Sequence, residues 1–109
     1  MPHPRAETEP GRLAPAGAGR FELHGELGFG DAARLLAEGE RAFGSLQSVE
    51  VDLAGVTRVD SAGLAVLIEW SLAAADAGRR LGYRNPPPAV VSLAGISDVS
   101  ELISAAPGG

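Results

Sequence analysis

The chain contains no cysteine and no lysine. Without thiols there is no disulfide framework, no thiol nucleophile and no thiolate metal site. Without lysine the phosphate-cradling P-loop is excluded. Histidine occurs only as His3, in a polar leader, and His24, which together make a structural metal site unexpected. No apolar run approaches the ~18 residues of a membrane span, and no export signal precedes the domain. These features lead us to expect a cytoplasmic protein that does not insert into a membrane and carries no metal or cofactor. The nine basic residues are all arginine and, apart from Arg79-Arg80, scattered. With a formal charge of −5, they argue against a nucleic-acid partner, whose phosphates call for a clustered basic surface. At 109 residues the chain suits one domain with a single core.

Met1 to about Gly11 is polar, rich in proline and charge, and without periodicity, the composition of a disordered leader. The domain is expected over residues 12–104, and residues 105–109 form a frayed tail. Arg12–Ala16 and Arg20–Leu27 read as a hairpin around Gly17-Ala18-Gly19, with Phe21 and Leu23 inward and Glu22 and His24 outward. Asp31 is placed to cap a helix running to Phe43, with Leu35, Leu36, Ala42 and Phe43 as its apolar stripe and Gly44 as its stop. Val49, Val51 and Leu53 alternate with Glu50 and Asp52, the period of a strand over Ser48–Leu53 with one face in the core, ended by Ala54-Gly55. Leu81–Arg84 is a further strand, placed parallel to the central one by the right-handed crossover rule. Pro88 opens a helix carrying Val90, Val91 and Leu93, and Val99–Ile103 adds a last helical turn or two.

Between these strands lies the most informative segment. Asp60 and Ser61 are both good N-cap residues before an apolar helix that runs to Ala77. At 100° per residue, Leu64, Leu67, Ile68, Ser71, Leu72 and Ala75 share one stripe, expected in the core. Ala62, Val66, Ala73 and Trp70 project to the other side, which makes Trp70 an expected interface anchor unless another part of the chain covers it. Spacing alone allows Ser61 to be a plain capping serine. It also places a hydroxyl where the helix N-terminus favours an anion, so a phosphate there would add roughly two negative charges without disturbing the fold.

Two other motifs fail. Gly28-Phe29-Gly30-Asp31-Ala32-Ala33 mimics a dinucleotide fingerprint with Glu50 at the acidic position, but the chain lacks the length for the paired halves of that fold. Ser61 follows a strand and opens a helix like a hydrolase nucleophile, with His24 as the available base. Val59, however, occupies a position where the elbow needs glycine.

Asp52-Leu53, Val56, Val59-Asp60-Ser61, Gly63-Leu64 and Leu67 resemble the signature of the STAS domain family. That family includes bacterial anti-sigma factor antagonists and the cytoplasmic tails of sulfate transporters. The likeness runs from about Arg12 to Ile103. It implies an α/β fold: a single mixed sheet of four to five strands with an N-terminal hairpin and three to four helices packed mainly on one face. It also implies that Ser61 is the position phosphorylated by a partner kinase, with Asp52 and Gly63 as supporting loop residues. Leu64 through Trp70, Ala77 through Leu81, and Asn85-Pro86-Pro87-Pro88 through Ile103 are most similar to the MlaB branch, the small STAS subunits of lipid-asymmetry (Mla) ABC transporters in Gram-negative bacteria. This branch implies a non-catalytic cytoplasmic subunit, peripheral to the inner membrane, that binds and supports the transporter's ATPase subunit. Its interface would fall on Asp60, Ser61, Ala62, Val66 and Trp70. The other branch implies an anti-sigma factor antagonist whose partner is a kinase acting on Ser61.

Overall fold

A computed structural model describes residues 9–97 and residue 100. Seven elements follow one another: β1 (Arg12–Gly17), β2 (Arg20–Leu27), α1 (Ala32–Phe43), β3 (Ser48–Val59), α2 (Ser61–Ala77), β4 (Arg80–Arg84) and α3 (Pro88–Ile96). The strands lie in sequence order, with β1 antiparallel to β2 and the β2–β3 and β3–β4 pairs parallel. The hairpin turns on Gly17 and Gly19, both at positive φ, where a side chain would be strained. Each parallel pair needs a crossover, supplied by α1 and α2. The result is the expected mixed α/β architecture with four strands and three helices among the described residues.

Alternation along β2 and β3 sends Phe21, Leu23, Leu27, Val49, Val51 and Leu53 into the core beneath the helices. Glu22, His24, Glu50 and Asp52 take the opposite face. β3 is twice the expected length, because Ala54-Gly55 does not end it. Its second half pairs with β2, Gly55 opposite His24 and Val59 opposite Leu27, with one extra β3 residue taken up at each of two register shifts. Gly55 is there because the His24 imidazole lies against it and leaves no room for a Cβ.

Two further expectations change at the start of the domain. Asp31 makes no side-chain cap hydrogen bond to α1. Its carboxylate instead accepts the Gly11 amide (3.1 Å) and the Arg34 guanidinium (2.7 Å). Those contacts, led by the Gly11 hydrogen bond, hold its pKa below the usual carboxylate range. They also draw in the end of the expected leader: Glu26 N–H donates to the Glu9 carbonyl, Arg34 donates to the Gly11 carbonyl, and Gly11 is buried. Residues 1–8, most of the expected helical turn after Val99 and the tail lie outside the described residues.

The largest correction concerns α2. Val66 and Trp70, expected on an outward face, are each 2% exposed, while Leu72, expected in the core, is 51% exposed. Ala75 is exposed as well. Only Glu69 and Asp76 are charged along this helix, so its own pattern does not say which side faces inward. The neighbouring helix decides. Gly39 of α1 leaves a space that the Trp70 indole fills so closely that a Cβ there would overlap the ring. Phe43 meets Trp70 edge-on at 5.2 Å between centroids and Phe21 at 5.1 Å, a three-ring stack running from sheet to α2. The indole nitrogen reaches toward the Leu36 carbonyl (3.4 Å). On the far side, the buried Tyr83 hydroxyl donates to the Leu67 carbonyl (2.6 Å), tying β4 to the same helix, and burial pushes its pKa upward.

Gly39→Ala is therefore expected to destabilise the domain by about 1–3 kcal/mol through overpacking, although alanine is the better helix former. Urea unfolding followed by Trp70 fluorescence measures this. In a Trp70→Phe background, followed by circular dichroism, the same substitution is expected to cost less, because the smaller ring leaves space for the methyl group.

Candidate functional site at the amino end of α2

β3 delivers the chain to Asp60, whose extended backbone (φ −124°, ψ −174°) ends the strand and whose side chain caps the helix. One carboxylate oxygen, Oδ1, accepts the Gly63 amide at 2.9 Å. The other, Oδ2, accepts the Phe29 amide at 3.1 Å, so the carboxylate also holds the loop between β2 and α1. The Gly63 hydrogen bond, aided by those from Phe29 and Ala62, outweighs the opposing desolvation and keeps the Asp60 pKa below the usual carboxylate range. The site thus carries a fixed negative charge at neutral pH.

Ser61 is the first helical residue, not the cap. It is exposed, and its hydroxyl makes no hydrogen bond to the described residues. Since Asp60 already satisfies the Gly63 amide, the fold does not need the Ser61 oxygen. Ala62 beside it is half-buried. Beneath them, Gly63 is buried against the end of β2, where a Cβ would collide with the Leu27 carbonyl. That close approach brings the helix N-terminus flush with the β2–α1 loop.

The structure brings Asp60, Ser61, Ala62 and Gly63 together and separates the remaining site residues. Val66 and Trp70 belong to the core described above and cannot be touched by a partner while the domain is folded. Asp52 does not flank Ser61: it lies seven residues before Val59 along β3, roughly 23 Å at the usual rise. Its carboxylate accepts the Ala54 amide (2.9 Å) and Asn85 Nδ2 (3.2 Å), steadying the turn after β4 where Asn85 adopts positive φ. His24 bonds Glu22 (3.0 Å) on the sheet face away from the helices, so no base is hydrogen-bonded to the serine.

One residue escaped the sequence reading. Phe29 is 84% exposed, beside the cap that holds its amide. An aromatic between two glycines just after a strand has little local chain to pack on, and that was the available signal. Together Phe29, Ser61, Ala62 and the Asp60 carboxylate form a patch with an apolar ring, a free hydroxyl and a fixed charge.

The family model described as Mlab, STAS domain, matches residues 14–104. The chain belongs to the STAS domain family. Solved STAS-like structures agree in fold. SpoIIAA of Bacillus in its phosphorylated form is 16% identical with a TM-score of 0.65, over 90% of this chain and 92% of that one. A sulfate transporter family protein from Wolinella succinogenes is 18% identical with a TM-score of 0.66, over 85% of this chain and 76% of that one. At such identities the likeness is one of fold. No curated protein matches the chain in sequence.

Asp60→Ala is expected to lower stability by about 1 kcal/mol at neutral pH, the usual cost of losing an N-cap. The folded pKa of Asp60 is depressed, so its contribution is complete above the ordinary carboxylate range and disappears as pH falls through the lowered value. The stability gap between wild type and variant should therefore narrow below about pH 4, as measured by urea unfolding at stepped pH.

Proposed function

We propose that this STAS domain is a non-catalytic docking subunit of an Mla-type phospholipid ABC transporter, binding the cytoplasmic ATPase subunit through the amino end of α2. The observation that carries the proposal is the exposed Ser61 hydroxyl, without a hydrogen bond among the described residues and held beside the ionised Asp60 by a cap that does not use it. A free hydroxyl next to a fixed charge suits the rim of a protein interface, and Phe29 supplies the apolar anchor that interface cores require. The family model's MlaB name favours this branch. Phospholipid movement is left to other subunits, and the domain reaches the inner membrane only through its partner.

A second reading keeps the same surface but makes it a switch: an anti-sigma factor antagonist whose partner kinase phosphorylates Ser61. The free serine hydroxyl supports it. A phosphate there would meet the partial positive charge of the helix N-terminus, with Asp60 opposing it by like charge. Incubation with a cognate kinase and intact-mass measurement separates the two readings, and stoichiometric phosphate on Ser61 would favour the switch.

For the docking reading, Ser61→Glu is expected to reduce copurification of the ATPase subunit at least ~10-fold, since like charge beside a rim carboxylate disrupts a complex. Its circular dichroism should stay unchanged. Phe29→Ala is expected to weaken the complex by about 1–2 kcal/mol, as loss of an aromatic anchor does. Undiminished copurification with both variants contradicts the proposed surface.

A further inference from the structure

The chain enters the fold at the same end of the sheet as the Phe29–Ser61 patch. β1 runs antiparallel to β2, so the backbone followed back from Arg12 travels in the direction of β2, toward the strand's end. Pro10 bridges to Glu26, and Glu26 N–H donates to the Glu9 carbonyl (3.0 Å). Glu9 is thereby seated at a residue only three positions before Phe29.

This entry point is held from several sides. Gly25, at φ +84°, and Gly11 lie so close to the opposing backbone that a Cβ would collide with the carbonyl oxygens of Pro10 and Glu26 respectively. Asp31 accepts the Gly11 amide, and Arg34 donates to the Gly11 carbonyl. Residues 1–8, outside the described part of the chain, therefore start from a fixed point.

Reach and charge select what lies ahead of that point. Eight extended residues span up to about 27 Å. Crossing from the β1 side of β2 to the β3 side, which leads to Asp60 and Ser61, takes two strand spacings, roughly 10 Å. Residues 1–6 contain Pro2, His3, Pro4 and Arg5 and no acidic residue, on a chain whose formal charge is −5, while Glu7 lies next to the root. Ahead of them stand the Asp60 carboxylate and the Phe29 ring, 84% exposed. Proline-rich segments dock on aromatic surfaces and lose less freedom than other chain when held.

We propose that residues 1–6 lie across the end of β2 and occupy the Phe29–Ser61 patch of the free chain, with Arg5 pairing with Asp60 and the prolines covering the Phe29 ring, so that this segment competes with the partner for the surface. The competition rests on the docking function proposed above, whereas the contact within the chain does not. An exposed ion pair is worth little, so the segment yields to a partner that buries Phe29 fully.

The chain has no cysteine, so His3→Cys provides a single attachment site for a thiol-reactive nitroxide on the whole chain. Paramagnetic broadening of the Phe29, Ser61 and Ala62 amide signals is expected, with Arg80 and Leu81, which pair with the opposite end of β3, unaffected. Because the seat of Glu9 alone brings the label near these amides, two variants decide. Arg5→Glu and Phe29→Ala should each reduce the enhancement at Ser61 and Ala62 roughly two-fold or more, with circular dichroism unchanged. Titrated with the ATPase subunit proposed as partner, Arg5→Glu should bind roughly two- to five-fold more tightly than the parent chain. Equal enhancement in all three chains overturns the contact. So does broadening of an isotope-labelled chain by a separate nitroxide-labelled one, which would assign the segment to a second copy. Reduced enhancement with equal affinity for the ATPase subunit overturns the competition. Should no form of the chain bind that subunit, the docking function and the competition fall, and the relaxation measurement still decides the contact.

Discussion

The Asp60 carboxylate is the constraint on which the functional end of this domain depends. One of its oxygens starts α2 and the other holds the loop that carries Phe29. A buried Gly63 lets the helix approach the end of β2 closely enough for both bonds to form. Because the aspartate caps the helix, the serine after it is relieved of a structural task. Capping is commonly performed by either residue type, and the order Asp-Ser decides which of the two keeps an exposed side chain that the cap does not use.

The same helix is anchored at mid-length by a different kind of contact. Trp70 fills the space above Gly39 and closes a stack of three aromatic rings, while Tyr83 binds the helix backbone from the other side. This fixes the rotation of α2 and therefore the direction in which Ser61 faces. Packing of large side chains in the interior thus sets the geometry of a hydroxyl several turns away, the link through which core substitutions would reach binding.

Much of the sheet was legible in the sequence, since alternation is a local property: Phe21 and Leu23 on β2, and Val49, Val51 and Leu53 on β3, all face the core as the pattern implies. The orientation of α2 was not legible, because a helix with apolar residues on nearly every side carries no direction of its own. The deciding residue, Gly39, lies on another element and reads in isolation only as a weak helix former. Gly55 looked like a strand end for a similar reason, as its role as a seat for His24 exists only once β2 is alongside. Asp31 and Asp60 are equivalent as local caps, yet Gly11 and Arg34 claim the first. At the site, Asp60, Ser61 and Gly63 could be placed from their order alone. Asp52 was misplaced because β3 runs on past Gly55, and Phe29, alone between two glycines, belongs to no periodic pattern that would mark it.

The proposed docking through the amino end of α2 is tested most directly by hydrogen–deuterium exchange of this chain, free and in the presence of the ATPase subunit proposed as its partner. The expected result is new protection over residues 28–30 and 60–62, with Trp70 and its neighbours, already buried, exchanging as before. A complex that leaves those two segments exchanging as in the free chain, with protection appearing elsewhere, would contradict it.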